Sequence, residues 1–137
     1  HVLTDHGVTF ASVAIQPGRP QGFGVVDGIA VCALPGNPGA VHASLHTIVR
    51  PVLARLSGGV VPAPVPLRVA QGWSAREGMR QFVPVIIDAG TIRPAVTGGI
   101  ASHRVRSLAR ADGLASVAPE TTDVAVGDVL EVVITRG

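Results

Sequence analysis

The spacing of apolar and polar positions changes character once along the chain. Val8 to Ile15 and Gly28 to Leu34 read as strands. The second, Gly28-Ile29-Ala30-Val31-Cys32-Ala33-Leu34, is nearly all apolar, which predicts a strand covered on both faces. Pro38 to Leu56 then carries Val41, Leu45, Ile48, Val49, Val52, Leu53 and Leu56 at helical spacing, so one apolar helix face is expected. Pro51 lies inside this run and predicts a kink, because proline removes a helical hydrogen bond. Beyond it, short β-favouring runs alternate with turn signals: Leu67 to Ala70, Gln81 to Asp88, Ile92 to Thr97, Gly113 to Val117 and Val129 to Thr135. Asp88-Ala89-Gly90-Thr91 reads as a hairpin turn, and Val126-Gly127-Asp128 as the entry to the last strand. Ser102 to Arg110 stays open, since Val105, Leu108 and Ala109 have helical spacing in strand-like surroundings.

The Gly- and Pro-rich stretch Ser57-Gly58-Gly59-Val60-Val61-Pro62-Ala63-Pro64-Val65-Pro66 separates the two patterns. The expected organisation is an α/β part over residues 1–58, a linker over 59–66, and a small, mostly antiparallel barrel or sandwich over 67–137. The fold class is therefore α/β followed by all-β.

Composition narrows the function classes. With 137 residues, 47% hydrophobic content and a mean hydropathy of +0.45, the chain is globular, and no apolar run approaches a membrane span. All 11 basic residues are arginines, and the net charge is only +2. The isoelectric point near 10.0 thus reflects missing lysine and tyrosine more than strong basicity. Scattered arginines and 3% aromatics supply neither a basic stripe nor a stacking platform, so no nucleic-acid partner is implied. Cys32, alone in an apolar strand, fits a reducing cytoplasm. The chain opens on His1-Val2-Leu3 with no initiator methionine or signal peptide, and reads as a piece of something larger.

The candidate chemistry begins at Leu34-Pro35-Gly36-Asn37-Pro38, where a strand hands over to a helix. Asn37 and Pro38 suit the N-cap and first-turn positions, so free N–H groups and the positive helix end would face an anion, or else form an ordinary capped turn. His42 and His46 have the i, i+4 spacing of a metal pair but no third ligand in the pattern, and read as flanking histidines. Ser102 and His103 are adjacent, a poor arrangement for a nucleophile and its base. Arg104, Arg106 and Arg110 read as a solvated edge, Asp112, Glu120, Asp123 and Asp128 as turn residues, and Trp73 as a packing anchor.

A resemblance unites several of these features. Val13-Ala14-Ile15-Gln16-Pro17-Gly18-Arg19-Pro20, Phe23-Gly24, Leu34-Pro35-Gly36-Asn37-Pro38, Val49-Arg50-Pro51 and Leu56-Ser57-Gly58 stand in the order and spacing of the molybdopterin molybdotransferase family, which includes the gephyrin E domain. Gly78 to Phe82, Gly99 to Leu108, Ala109 to Leu114 and Gly127 to Val133 resemble that family's barrel. The resemblance implies the end of a molybdopterin-binding α/β domain followed by the C-terminal barrel, and a reaction in which molybdate joins adenylylated molybdopterin with release of AMP. It implies Mg2+ held by residues upstream of His1, so that this chain has no metal ligands and no catalysis alone. It also implies a homodimer. The family's substrate positions fall on Gly18, Arg19, Pro35, Gly36, Asn37, Pro38, Arg80, Ser102 and His103. Two lysines common in the family are Ser12 and Gln16 here, a common serine is Ala40, and Pro84 stands where an arginine is frequent. Those departures motivate the alternative of a non-catalytic pterin-binding or scaffold protein of the same fold. A purely structural barrel with an α/β appendage is a third possibility.

Overall fold

The computed structural model describes residues 2–95 and 105–136. A short helix α1 (Val2–Asp5) leads into strands β1 (Val8–Ser12), β2 (Ile15–Gln16), β3 (Pro20–Val26) and β4 (Ile29–Ala33). β1, β3 and β4 form an antiparallel sheet in that order, with Val8 opposite Gly24 and Phe23 opposite Cys32. Only glycine fits where β3 passes β1, since a Cβ at Gly24 would lie 2.7 Å from the Val8 Cα. The same glycines break apolar alternation, which is why β3 is absent from the strands expected from sequence.

The expected strand Val8 to Ile15 divides in two. The Val13 N–H donates to the Arg19 carbonyl over 2.7 Å, and the Ile15 N–H to the Val13 carbonyl over 2.8 Å. This turn releases Ile15 and Gln16 from the first sheet. The apolar run at 28–34 does contain β4, but it is not covered on both faces. Within the described residues β4 has one strand neighbour, its residues are exposed or half-buried, and Ile29 is 68% exposed.

From Pro38 to Ser57 the chain is helical: α2 (Pro38–Ser44), a π-helical turn (Leu45–Val49) and α3 (Arg50–Ser57). The Arg50 N–H reaches the Leu45 carbonyl, the five-residue spacing of a π turn, immediately before Pro51 removes the next donor. The disturbance expected at Pro51 takes that form. Gly58 ends the run in the left-handed region at φ 70°. The buried face is also different from expectation. Gly39, Ala40, Ala43 and Ser44 are buried, while Val41, Leu45, Leu53 and Leu56 are exposed. The helix approaches the rest of the chain on its small-residue side, which leaves those four large apolar side chains outward while Ile48, Val49 and Val52 are half-buried.

The second part contains β5 (Val65–Val69), β6 (Trp73–Ser74), β7 (Arg80–Asp88), β8 (Thr91–Pro94), α4 (Val105–Arg110), β9 (Gly113–Val117), β10 (Asp123–Val124) and β11 (Val129–Ile134). Strands β7, β8, β5, β11 and β9 close into a barrel through a β7–β9 pairing, antiparallel except at β5–β8. Val69, Val83, Val85, Ile92, Val117 and Val132 fill it. Alternation along β7 drives this, with Gln81, Val83 and Val85 inward and Arg80, Phe82 and Pro84 outward. The hairpin expected at Asp88 to Thr91 is present, with Ala89 and Gly90 at φ 45° and 77°. Val105 to Arg110 is helical, and Val96 and Thr97 of one expected strand lie outside the described residues.

The junction between the parts positions the site. β2 leaves the first sheet and pairs in parallel with β7, placing Ile15 opposite Arg80 and Gln16 opposite Gln81. α4 in turn lies against both α2 and β7.

Candidate functional site: two loops joined at the start of a helix

Asn37 caps the long helix as its sequence position predicts. Its Oδ1 accepts the Gly39 N–H at 3.0 Å, and Pro38 opens the first turn. Gly36 and Pro38 are exposed, whereas Pro35 and Asn37 are half-buried, so the loop is open on one side. The positive end of the helix dipole lies here.

The Pro17-Gly18-Arg19-Pro20 turn packs against this helix. Gly18 has φ +111°, a conformation that favours glycine. A Cβ there would meet the Ser44 Oγ at 3.2 Å, the Gln21 Nε2 at 3.2 Å and the Ala40 Cβ at 3.7 Å. Gly18 therefore sits one to two turns along the helix from Asn37, and the exposed Arg19 follows it directly. Ala40, where the resembling family has serine, is buried in this contact and shows no polar group.

Arg80 is brought beside the same turn by the β2–β7 pairing. Its N–H donates to the Ala14 carbonyl at 3.0 Å, and its guanidinium to the Ser116 Oγ at 3.0 Å. Of the expected positions, the structure thus gathers Gly18 and Arg19 with the helix start, and ties Arg80 to the strand leading into them. Ser102 and His103 lie outside the described residues. Sequence reasoning did not find Gln21 and Ser44, buried polar residues joined to each other at 2.7 Å. A signal for Ser44 was present, since Gly39, Ala40, Ala43 and Ser44 form a small-residue stripe that marks close approach.

The His42 and His46 rings meet at a tilt of 52° with centroids 4.7 Å apart, and the Arg50 guanidinium lies 3.0 Å from the His46 Nδ1. Burial lowers the His42 pKa. Burial, then His42 and Arg50, lower that of His46 to about 4, so both rings are neutral near pH 7. Among the described residues no group of three His, Cys, Asp or Glu side chains is placed to hold a metal ion. Of the carboxylates read as turn residues, Asp128 accepts the Ala125 N–H at 2.8 Å, as such a residue should. Asp112 does more, accepting the Ile87 N–H at 2.9 Å and pairing with Arg136 at 2.8 Å.

The chain is an α/β unit whose glycine turn meets a capped helix start, followed by a closed barrel, and comparison with known proteins specifies this two-part architecture. Residues 66–135 match the family model of the MoeA C-terminal region (domain IV), and residues 1–55 that of a probable molybdopterin binding domain. The chain belongs to the MoeA family. It is 41% identical over 133 residues to molybdopterin molybdenumtransferase 2 of Mycobacterium tuberculosis, a match covering 93% of this chain and 32% of the relative. A Haemophilus influenzae molybdopterin molybdenumtransferase is 39% identical over 51 residues, 37% of this chain and 13% of the relative. The molybdopterin biosynthesis MoeA protein of Pyrococcus horikoshii superposes with a TM-score of 0.83 at 28% identity, covering 99% of this chain and 34% of that one. A molybdenum cofactor biosynthesis protein of Pyrococcus furiosus gives 0.78 at 25% identity, covering 93% and 45%. The chain spans about a third of the length of the curated relatives that it matches along most of its own length. No helix among the described residues is long and apolar enough to cross a membrane.

Proposed function

We propose that this chain is the C-terminal part of a molybdopterin molybdotransferase, acting in molybdenum cofactor biosynthesis. Its reaction inserts molybdate into adenylylated molybdopterin and releases AMP. The observation that carries this reading is the packing of Gly18 against Ala40 and Ser44, which sets the Arg19 turn beside the helix that starts at Pro38. A guanidinium and the positive end of the helix dipole are thereby available to an oxyanion or phosphate. Gly18, Arg19, Pro35, Gly36, Asn37, Pro38, Arg80, Ser102 and His103 are the proposed substrate-binding positions. Arg19 neutralises substrate charge, the Gly36 and Asn37 backbone N–H groups orient a tetrahedral anion, and Ser102 is the position that the family resemblance assigns to molybdate.

The described residues do not fit a divalent cation, so no step here is routed through Mg2+. In this reading the cation is held by residues upstream of His1, and the chain alone is inactive. The division into residues 1–58, 59–66 and 67–137, cytoplasmic location and a homodimer belong to the same proposal. In the full-length gene product, Arg19→Ala and Ser102→Ala should each raise the molybdate concentration needed for half-maximal rate. An unchanged molybdate dependence in both variants would remove the site assignment.

A second reading, a pterin-binding or scaffold protein without insertion chemistry, draws on Ser12, Gln16 and Ala40. None of these carries a charge, and Ala40 is buried in the Gly18 contact. It predicts tight binding of adenylylated molybdopterin without AMP release.

A further inference from the structure

Gln21 is 1% exposed and Ser44 is 0% exposed, although both are polar. Gln21 stands at the second position of β3, and Ser44 closes α2. The Gln21 Nε2 donates to the Gly18 carbonyl at 2.7 Å and to the Ser44 Oγ at 2.7 Å. A carbonyl can only accept, so the contact with Gly18 sets which end of the amide faces the turn. One carboxamide therefore holds the turn before Arg19 and the helix after Asn37 at the same time.

We propose that Gln21 is a positioning residue that locks these two loops into one preformed anion-binding surface. Arg19 and the helix start come from segments separated in sequence, and fixing their spacing before binding spares a shared anion the cost of ordering them. Direct contacts at Gly18 limit how close the segments come. The Gln21 hydrogen bonds fix how they are registered, in a dry environment where an unmade bond is costly. The proposal rests on the pterin-site reading above for the identity of the ligand, but not for the existence of the lock.

The test compares Gln21→Met, which keeps length and bulk but removes both donors, with the milder Ser44→Ala and with the double variant, all in the full-length gene product. Molybdopterin Kd should rise about tenfold in Gln21→Met and about threefold in Ser44→Ala, and the double variant should be no weaker than Gln21→Met. Without ligand, Ser44→Ala should speed hydrogen exchange at the Val13 amide, whose N–H donates to the Arg19 carbonyl across the turn, although Ser44 lies on the helix. A lowered Tm with unchanged Kd in both single variants would make Gln21 merely structural and overturn the proposal. So would faster exchange confined to the helix in Ser44→Ala. If the wild-type protein binds no molybdopterin, the functional reading fails on its own. The ligand-free exchange then decides the lock, supporting it if the change reaches Val13 and overturning it if not.

Discussion

Gly18→Ala should cost more than backbone strain alone, and a second glycine provides the comparison. At φ +111° a residue with a side chain is strained by about 1–3 kcal/mol. The new methyl would also stand 3.2 Å from the Gln21 Nε2 and the Ser44 Oγ, groups with no free space to retreat into. Separating that buried pair adds about 1–2 kcal/mol. The reduced entropy of the unfolded chain returns about 0.4–1 kcal/mol. The net loss is therefore about 2–4 kcal/mol. Gly28 has φ +79° but nothing within 4 Å of its Cβ position, so Gly28→Ala isolates the strain and, after the same entropy return, should cost about 1 kcal/mol. Urea unfolding followed by circular dichroism measures both, with midpoints lowered and slopes unchanged. Equal losses in the two variants would refute the reasoning, because they would mean that the turn and helix do not press on each other.

The barrel offers a sharper contrast at Asp112. Asp112→Ala removes the acceptor of the Ile87 N–H and should destabilise by about 2–3 kcal/mol, whereas Arg136→Ala breaks a partly exposed pair with Asp112 and an exposed hydrogen bond to the Ala109 carbonyl and should cost about 1 kcal/mol; equal effects in thermal unfolding would contradict this. The lowered pKa of His46 gives a pH dependence. Its unfolded form binds a proton near pH 6.5 while the folded form resists until about 4, so stability should fall across that window and His46→Gln should flatten the fall. Identical pH profiles for both proteins would remove that role. Leu56 is 69% exposed, and Leu56→Lys should leave the unfolding midpoint of the isolated chain within about 0.5 kcal/mol of wild type, a larger loss showing that the outward helix face is packed in solution.

Much of the barrel was legible because alternation and turn chemistry agree there. Gln81 to Asp88 and the Asp88 to Thr91 hairpin follow from the alternation that turns Val83 and Val85 inward and from a two-residue left-handed turn. The first sheet was less so. β3 hides behind glycines required for close passage, and β2 parts from β1 because a local turn, closed by the Val13 N–H to Arg19 carbonyl bond, interrupts an apolar run. The helix was legible in extent, but its buried side was misread, since a large apolar stripe outweighs four small residues in any hydropathy pattern. The loop at Pro35 to Pro38 announced itself through capping residues. Its coupling to Gly18 did not, because Gln21 and Ser44 are 23 residues apart and only folding makes them neighbours.

The central claim is that this chain carries half of a molybdopterin and molybdate pocket. The most direct measurement is molybdate-dependent AMP release from adenylylated molybdopterin, run with matched Mg2+ on the 137-residue chain and on the full-length gene product. The account predicts release by the full-length product and none by the chain. Absence of release from both, with tight binding of adenylylated molybdopterin retained, would contradict it and favour the scaffold reading.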